Sequence, residues 1–278
     1  MTDKITNKMT NCNVLLTGAT GGIGQAFSRL LFNSGANLVL VGRNNEKLTQ
    51  LKEKLLTSNP QAKNSVITYV VDILQQVQRD NLIEQLALLP FEINSLINNA
   101  GVSQFKLFEQ SNESDINNII TTNTIAPMQL TQALLPLLKQ CSKAQIINIG
   151  STYGSIGFPG YTAYCASKFA LRGFSQTLSR ELADTNIRVK YLSPRATQTN
   201  LNSSEVDKLN SALNSSVDTP ETVAKALLSL ILQSNEECYI GWPEKLFVRI
   251  NQLFPSIVSK SIIKQLPVIK KYANSTAL

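Results

Sequence analysis

Short apolar runs alternate with longer segments of helical periodicity through most of this 278-residue chain. Strands that alternate with helices are joined by right-handed crossovers into a parallel sheet that carries helices on both faces. The pattern therefore predicts an α/β fold with a doubly wound parallel sheet, in a single domain over residues 12–242. The predicted strands lie at 13–17, 37–41, 66–71, 93–97, 144–149, 187–192 and 237–240.

Composition excludes several classes of site. The chain has no histidine, which excludes His-based catalytic triads and His-ligated metals, and we predict no metal site. Its four cysteines form no CxxC pair, and we interpret them as reduced packing residues of a cytoplasmic protein. Residues 1–11 are polar and predict a flexible arm, with no signal peptide and no apolar run long enough to cross a membrane.

The net charge of +7 is concentrated near the C-terminus. Residues 245–278 contain six basic and no acidic side chains, so the rest of the chain carries a net charge of only +1. This distribution argues against a general nucleic-acid surface and points to the C-terminal segment instead.

Glycines follow the first predicted strand. The segment 18–24 (GATGGIG) separates that strand from a helix that extends through Phe32, a context in which glycines let the backbone approach a pyrophosphate. The second strand ends before Arg43, and no acidic residue occupies 41–45. An acid there would bind the 2′-hydroxyl of NAD, whereas an arginine accommodates the 2′-phosphate of NADP. We therefore predict NADP(H) in preference to NAD(H); an ordinary surface arginine is the alternative.

Tyr164 and Lys168 are four residues apart and share one face of a predicted helix over residues 161–184. A lysine cation lowers the pKa of a neighbouring phenol, which then transfers protons near neutrality. The alternative is a surface Tyr–Lys pair.

Asn123 lies within a helix predicted over 111–139. Pro127, four residues later, has no N–H to donate to the Asn123 carbonyl, which could then hold a water. These residues alone favour a proline kink with a solvent-facing asparagine.

The candidate binding motifs all directly follow predicted strands, and ligands of parallel sheets bind at these strand ends. Together they resemble the short-chain dehydrogenases/reductases over about residues 10–242, which implies a Rossmann fold. The matches are TGATGGIG at 17–24 for TGxxxGIG, NNAG at 98–101, Asn123 for the helix asparagine, Ser151 for the catalytic serine, and Tyr164 with Lys168 for YxxxK.

The resemblance implies roles for the matching residues. Tyr164 would be the acid/base, Ser151 would stabilise the substrate oxygen, Lys168 would bind the nicotinamide ribose and lower the Tyr164 pKa, and Asn123 would hold a relay water. Glycines would line the pyrophosphate, Arg43 the 2′-phosphate, Asp72 the adenine and Asn99 the ribose. The implied cofactor contacts are Thr17, Gly18, Thr20, Gly22, Ile23, Gly24, Arg43, Asp72, Asn99, Ala100, Gly101, Tyr164, Lys168, Pro194, Thr197 and Thr199.

Two departures from the family pattern affect the site. Pro194-Arg195 stands where the family usually has Pro-Gly, and Arg195 could contact phosphate, an anionic substrate or solvent. Ala19 and Thr20 are neutral where many NADP-preferring members carry a basic residue, so the NADP(H) prediction depends mainly on Arg43.

Residues 243–278 form a predicted basic amphipathic extension. One apolar face is predicted before Pro255 and a second, shorter one before Pro267. Peripheral membrane contact through 245–272 is one interpretation, and packing over the substrate cleft or a neighbouring subunit is the favoured one. Residues 200–217 are polar and predict a mobile lid. The two predicted faces are Leu246, Phe247, Ile250, Leu253 and Phe254, then Val258, Ile262 and Leu266.

The predicted function is an NADP(H)-dependent oxidoreductase that interconverts the carbonyl of a small ketone or aldehyde and an alcohol by hydride transfer, with Tyr164 as the acid/base. A lipid-like substrate is a further hypothesis. The alternatives are a 3-oxoacyl-thioester reductase and a non-catalytic NADP-binding sensor or scaffold. The family resemblance also implies a homodimer or homotetramer.

Overall fold

The computed structural model describes residues 9–199 and 201–275. These residues form one sheet of seven parallel strands together with the helices that cover it. The strand order is β3-β2-β1-β4-β5-β6-β7, so the chain builds one half of the sheet outward from β1 and the other half from β4. The predicted doubly wound α/β fold is confirmed. The strands are β1 (Asn13–Thr17), β2 (Asn37–Gly42), β3 (Val66–Val70), β4 (Ser95–Asn98), β5 (Ala144–Ile149), β6 (Ile187–Ser193) and β7 (Glu237–Tyr239).

Helices cover both faces of the sheet because its central strands are apolar on both sides. In β1, Val14 and Leu16 pack in one core cluster and Leu15 in the other, as the two-residue period of a strand requires. The helices are α1 (Gly22–Asn33), α2 (Asn45–Ser58), α3 (Gln76–Ala87), α4 (Glu113–Ile120), α5 (Ala126–Gln140), α6 (Thr162–Glu181), α7 (Ser204–Ala212), α8 (Pro220–Leu232), α9 (Glu244–Leu253) and α10 (Pro255–Ser275).

The helix predicted over 111–139 is interrupted near its middle. Between α4 and α5 the chain makes one wider π turn over Thr121–Ile125, in which the Ala126 N–H donates to the carbonyl of Thr121. Asn123 lies in this turn and is fully buried. The interpretation as a proline kink with a solvent-facing asparagine is therefore wrong, because the asparagine points into the protein.

The first described residues are held against the domain. Met9 is fully buried in the core, its N–H donates to the Ser34 carbonyl, and the Asn94 side chain donates to the carbonyl of Asn11. The predicted flexible arm is thus wrong for residues 9–11, since an apolar side chain anchors them. Residues 1–8 of that prediction lie outside the described residues.

The segment 200–217, predicted as a polar mobile lid, contains α7. Ser203 caps this helix by accepting the Val206 N–H, and Val206 and Leu209 are buried on its inner side. The prediction missed the helix because only these two apolar side chains, three residues apart, pack inward. Asn200 lies outside the described residues.

The C-terminal extension consists of α9 and α10. Pro255 separates the two helices as predicted, but α10 continues through Pro267 instead of ending before it. Val258 is buried on the inner face of α10 and Ile262 is half-buried there, as the predicted second face requires. The predicted face of α9 is mostly exposed, because Val248 is the residue that packs inward. No described helix combines the length and apolar character needed to cross a membrane, and residues 276–278 lie outside the described part.

Candidate active site

The glycine turn after β1 packs closely against neighbouring residues at the carboxyl edge of the sheet. Gly18 has a φ of +62°, and a Cβ at this position would lie 2.7 Å from the Ala100 Cα. A Cβ at Gly22 would lie 2.9 Å from the Thr199 Cγ2. A side chain at either position would therefore displace neighbouring atoms, and the turn keeps the bare backbone that a pyrophosphate needs for close approach.

Thr17 and Asn99 fasten this turn to the end of β4. The Thr17 hydroxyl oxygen accepts the N–H groups of Asn99 and Ala100, both at 3.1 Å. In return, the Asn99 side chain donates to the carbonyls of Thr17 at 3.0 Å and Gly18 at 3.1 Å. The structure thus brings the first and fourth strand ends together, as the sequence motifs predict.

Arg43 lies beside the glycine turn, at the end of β2. A Cβ on Gly42 would be 3.5 Å from the Thr20 side chain, which places this strand end against the turn. Arg43 is exposed and forms no ion pair with another described residue. Asp72 follows the neighbouring β3, and its carboxylate accepts the Leu74 N–H at 3.1 Å. The predicted adenosine-side residues therefore lie at adjacent strand ends, with the guanidinium available for an anion.

Ser151, Tyr164 and Lys168 converge beyond the end of β5. The Lys168 Nζ lies 5.7 Å from the centre of the Tyr164 ring and donates to the Ile149 carbonyl at 3.0 Å. The Ser151 Oγ accepts the Tyr153 N–H at 3.1 Å, and Ser151 also hydrogen-bonds the Tyr164 phenol. The spacing of four residues along α6 thus puts tyrosine and lysine on one face, as predicted.

Asn123 approaches the same group from the π turn. Its Oδ1 accepts the Val102 N–H at 2.8 Å, and its Nδ2 donates to the Val102 carbonyl at 2.9 Å and to the Ser167 Oγ at 3.0 Å. A Cβ on Gly101 would be 3.2 Å from the Asn123 Oδ1 and 3.7 Å from the Lys168 Nζ. The Asn123 side chain therefore holds Val102 and Ser167 together. The absence of a side chain at Gly101 leaves room between Asn123 and Lys168.

Burial shifts the pKa values of the tyrosine and the lysine. It lowers the pKa of Lys168 from 10.5 to about 8. It raises the pKa of Tyr164 from 10.0 to about 12, although the hydrogen bond from Ser151 opposes this rise. The Tyr164 shift is opposite to the lowering expected from the resemblance, because the loss of hydration outweighs the nearby ammonium group. In the chain alone Tyr164 is thus a firmly protonated phenol.

A cavity of about 340 Å³ opens above these side chains. Of the predicted site residues, those that line it are Ile23, Asn99, Gly101, Ser151, Tyr164, Lys168, Pro194, Thr197 and Thr199. The predicted site residues that do not line it are Thr17, Gly18, Thr20, Gly22, Gly24, Arg43, Asp72, Ala100 and Asn123.

Sequence reasoning missed the aromatic wall of this cavity. Tyr153 stacks on Phe158 with ring centres 5.1 Å apart, and it is tilted against Tyr161 at the same distance. Tyr153 also meets the Tyr164 ring edge-on at 6.4 Å. Three of these rings flank or lie in the glycine-rich segment 151–160, and only the folded loop brings them together.

Comparison with known proteins decides the family. A family model described as short chain dehydrogenase matches residues 12–210. The chain belongs to the short-chain dehydrogenase/reductase family. Among family relatives, 3-ketodihydrosphingosine reductase of Bos taurus is 31% identical over 235 residues, which cover 82% of this chain and 71% of that protein. The 3-oxoacyl-[acyl-carrier-protein] reductase FabG of Thermotoga maritima is 29% identical over 231 residues, covering 81% and 92%.

Solved structures of the family share the fold. A short chain dehydrogenase/reductase from Burkholderia phymatum, solved in complex with NAD, superposes with a TM-score of 0.78 at 22% identity, covering 89% of this chain and 95% of that one. A metagenomic short-chain oxidoreductase in complex with NADP gives a TM-score of 0.70 at 24% identity, covering 84% and 97%. At these identities the likeness shows a shared fold, and one of the two neighbours binds NAD while the other binds NADP.

Arg195 departs from the family's usual glycine and has a defined role here. Its guanidinium forms two hydrogen bonds to the Asp218 carboxylate and one to Glu244, all at 2.9 Å. None of the alternatives raised from the sequence (phosphate, an anionic substrate or solvent) describes these contacts. Because its guanidinium donors bridge these two partly buried carboxylates, Arg195 holds both in place. Arg195 thus ties the end of β6 to the first turn of α9.

Proposed function

We propose that the protein is an NADP(H)-dependent oxidoreductase that reduces the carbonyl of an apolar, lipid-like ketone to an alcohol. One observation carries this proposal: the cavity that holds Ser151, Tyr164 and Lys168 is also lined by several large apolar side chains, with polar side chains such as Asn202, Ser216 and Gln265 among them. A substrate with a carbonyl on an alkyl chain fits such a lining, because much of the chain is removed from water while the oxygen keeps hydrogen-bond partners. The apolar lining includes Ile156, Phe158, Val206, Phe247, Val258 and Ile262.

The residues at the strand ends fit a dinucleotide. The turn at Gly18 and Gly22 is bare backbone that leads into α1, and the first N–H groups of this helix would bind a pyrophosphate. Arg43 would bind the 2′-phosphate of NADP, since it is exposed and no described carboxylate pairs with it. When bound, the nicotinamide group supplies the hydride for the carbonyl carbon.

Tyr164 would act as the general acid. The proton of its phenol passes to the carbonyl oxygen as that oxygen becomes a hydroxyl, while Ser151 donates a hydrogen bond to the same oxygen and stabilises its developing charge. Lys168 lies near the phenol and offsets the negative charge left on it. The Asn123 carbonyl would hold a water that returns a proton toward Lys168, because Pro127 has no N–H to occupy that carbonyl.

The raised pKa of Tyr164 sets which form of the phenol is present. A Tyr164 pKa of about 12 keeps the phenol protonated at neutral pH, which is the form that donates a proton to a carbonyl oxygen. Alcohol oxidation needs the phenolate as a base, and burial disfavours that charged form. The same site can run in both directions, and the concentrations of substrate and cofactor set the net direction.

Similarity to FabG supports a second candidate, the reduction of a 3-oxoacyl thioester. Either substrate would place a ketone beside Ser151 and Tyr164 and an alkyl chain along the apolar side chains of the cavity. We further propose a cytoplasmic homodimer or homotetramer, with a catalytic domain over residues 12–242 and an extension over 243–278.

The proposed function is tested by NADPH oxidation with ketones of increasing chain length and with a 3-oxoacyl thioester. We expect kcat/KM to rise about three- to fourfold per added methylene until the cavity is filled, because each buried methylene contributes about 0.8 kcal/mol. Selective turnover of the thioester would favour the second candidate. NADPH binding without turnover of any substrate would contradict an enzymatic function and favour a sensor or scaffold.

A further inference from the structure

The C-terminal helices expose a set of large apolar side chains that the domain leaves uncovered. On α9, Val248 packs inward, so Leu246 and Leu253 face outward. The junction with α10 and the outer face of α10 continue this apolar surface. The exposed set is Trp242, Leu246, Leu253, Phe254, Ile257 and Ile263, each between 44% and 73% exposed. We call these residues, with the cations named next, the C-terminal docking surface.

Exposed cations accompany these apolar side chains on the same helices. Residues 245–278 contain no acidic residue. Within the described residues, none of Lys245, Arg249, Lys260 and Lys264 pairs with a carboxylate. Unpaired cations next to exposed aromatic and aliphatic side chains complement an anionic bilayer, whose headgroups attract the charge while its acyl region takes the apolar groups. The cations of the surface are Lys245, Arg249, Lys260 and Lys264.

The inner faces of the same two helices line the proposed substrate cavity. Phe247 from α9 and Val258 and Ile262 from α10 contribute to its wall. Arg195 fixes the start of α9 through Glu244, whose carboxylate it contacts at 2.9 Å. The outer surface that would meet a bilayer and the inner surface that would meet an alkyl chain are therefore opposite sides of one two-helix layer.

We propose that the C-terminal docking surface binds anionic membranes peripherally, so that lipid-like ketones enter the cavity from the bilayer. The membrane contact stands on the exposure and charge of α9 and α10. The entry of substrate from the bilayer rests in addition on the proposed function. Leu253 and Phe254 insert among the lipids, while Lys260 and Lys264 hold the helix to anionic headgroups.

Co-sedimentation of the full chain with vesicles tests the membrane contact without any turnover. We expect binding to mixed phosphatidylcholine–phosphatidylglycerol vesicles, which weakens with salt and is absent with phosphatidylcholine alone. Lys260→Glu with Lys264→Glu should weaken binding by at least about 25-fold, from about fivefold per cation. Leu253→Asp with Phe254→Asp should weaken it by at least about tenfold.

Matched controls use equivalent residues elsewhere on the surface. Leu88 is 77% exposed, and Leu88→Asp should leave vesicle binding unchanged, as should Lys54→Glu with Lys63→Glu. Thermal unfolding of every variant checks that the fold is retained. Equal losses in test and control variants, or no binding to anionic vesicles, would overturn the membrane contact. So would a Leu253→Asp and Phe254→Asp variant that changed only the oligomeric state, because a second copy would then cover the surface.

The entry route is tested separately with a long-chain ketone dissolved in anionic vesicles. We expect the Leu253→Asp and Phe254→Asp variant to lose turnover of this ketone and to keep wild-type kcat/KM on a short, water-soluble ketone. Equal turnover of the vesicle-bound ketone by variant and wild type would overturn entry from the bilayer. Wild-type inactivity on both ketones would overturn both the entry route and the proposed function, while vesicle binding by the wild type would still stand.

Discussion

Replacing Tyr164 with phenylalanine should reduce ketone turnover by about three orders of magnitude, within the range typical of losing a general acid. The variant keeps the aromatic ring, which contacts Tyr153 and Tyr161 edge-on, so the cavity wall should remain intact. NADPH affinity should be nearly unchanged, because the proposed cofactor contacts lie mainly on the backbone, Lys168 and Arg43. Steady-state kinetics and fluorescence titration with NADPH measure the two effects separately.

Tyr161→Phe is the matched control for this variant. Tyr161 lines the same cavity and is also buried, but its phenol lies outside the group formed by Ser151 and Lys168. We expect it to lose less than about tenfold in kcat/KM, the scale of one neutral hydrogen bond. A Tyr164→Phe variant with wild-type turnover, or one no worse than Tyr161→Phe, would refute the proton-transfer role.

Arg43→Ala should lower NADPH affinity by about 10- to 100-fold, since charge-assisted hydrogen bonds to phosphate contribute about 1.5–3 kcal/mol. NADH lacks the 2′-phosphate, so its affinity should stay the same and the preference for NADPH should collapse. The position of Arg43 supports this expectation, because the strand end that carries it lies against the glycine turn and no described carboxylate pairs with it. Titration of wild type and variant with both nucleotides gives the four dissociation constants.

Lys47→Ala tests whether any nearby cation has this effect. Lys47 is exposed in the first turn of α2, close to Arg43 in the chain. A general field effect would weaken NADPH binding similarly in both variants, whereas a direct contact affects Arg43→Ala alone. Wild-type preference for NADH would contradict the proposed cofactor outright.

The position of the site could be predicted from the sequence because it depends on strand ends. Buried parallel strands appear as short apolar runs, and the residues that follow them meet at one edge of the sheet whatever their distance in the chain. Gly18 and Asn99 are 81 residues apart in sequence, yet the Asn99 side chain lies 3.1 Å from the Gly18 carbonyl.

Other features depend on tertiary contacts that local patterns do not encode. Asn123 points inward because a π turn shifts its phase, and its helical propensity gives no sign of this. The predicted apolar face of α9 is divided in the structure: Leu246, Leu253 and Phe254 are exposed, whereas Phe247 lines the cavity and Ile250 packs beside Val248. Burial of Tyr164 reverses the pKa shift expected from a lysine neighbour, and the extent of burial is known only once the aromatic wall is assembled.

Arg195 shows a third reason why prediction fails. Its partners Asp218 and Glu244 lie 23 and 49 residues further along the chain, with a helix and a strand between them. Any of several anions could satisfy an arginine at a strand end, and only the folded loop selects these two carboxylates. The same contacts hold the C-terminal extension at the cavity, where the sequence favoured packing over the substrate cleft or a neighbouring subunit.

The central claim is that a hydride passes from NADPH to the carbonyl carbon of a ketone. The most direct test uses NADPH with deuterium in place of the transferable hydrogen and a long-chain ketone as substrate. The account predicts an alcohol that carries one deuterium on the former carbonyl carbon, as mass spectrometry of the product would show. An alcohol without deuterium, or no alcohol from any ketone in the presence of bound NADPH, would contradict carbonyl reduction at this site.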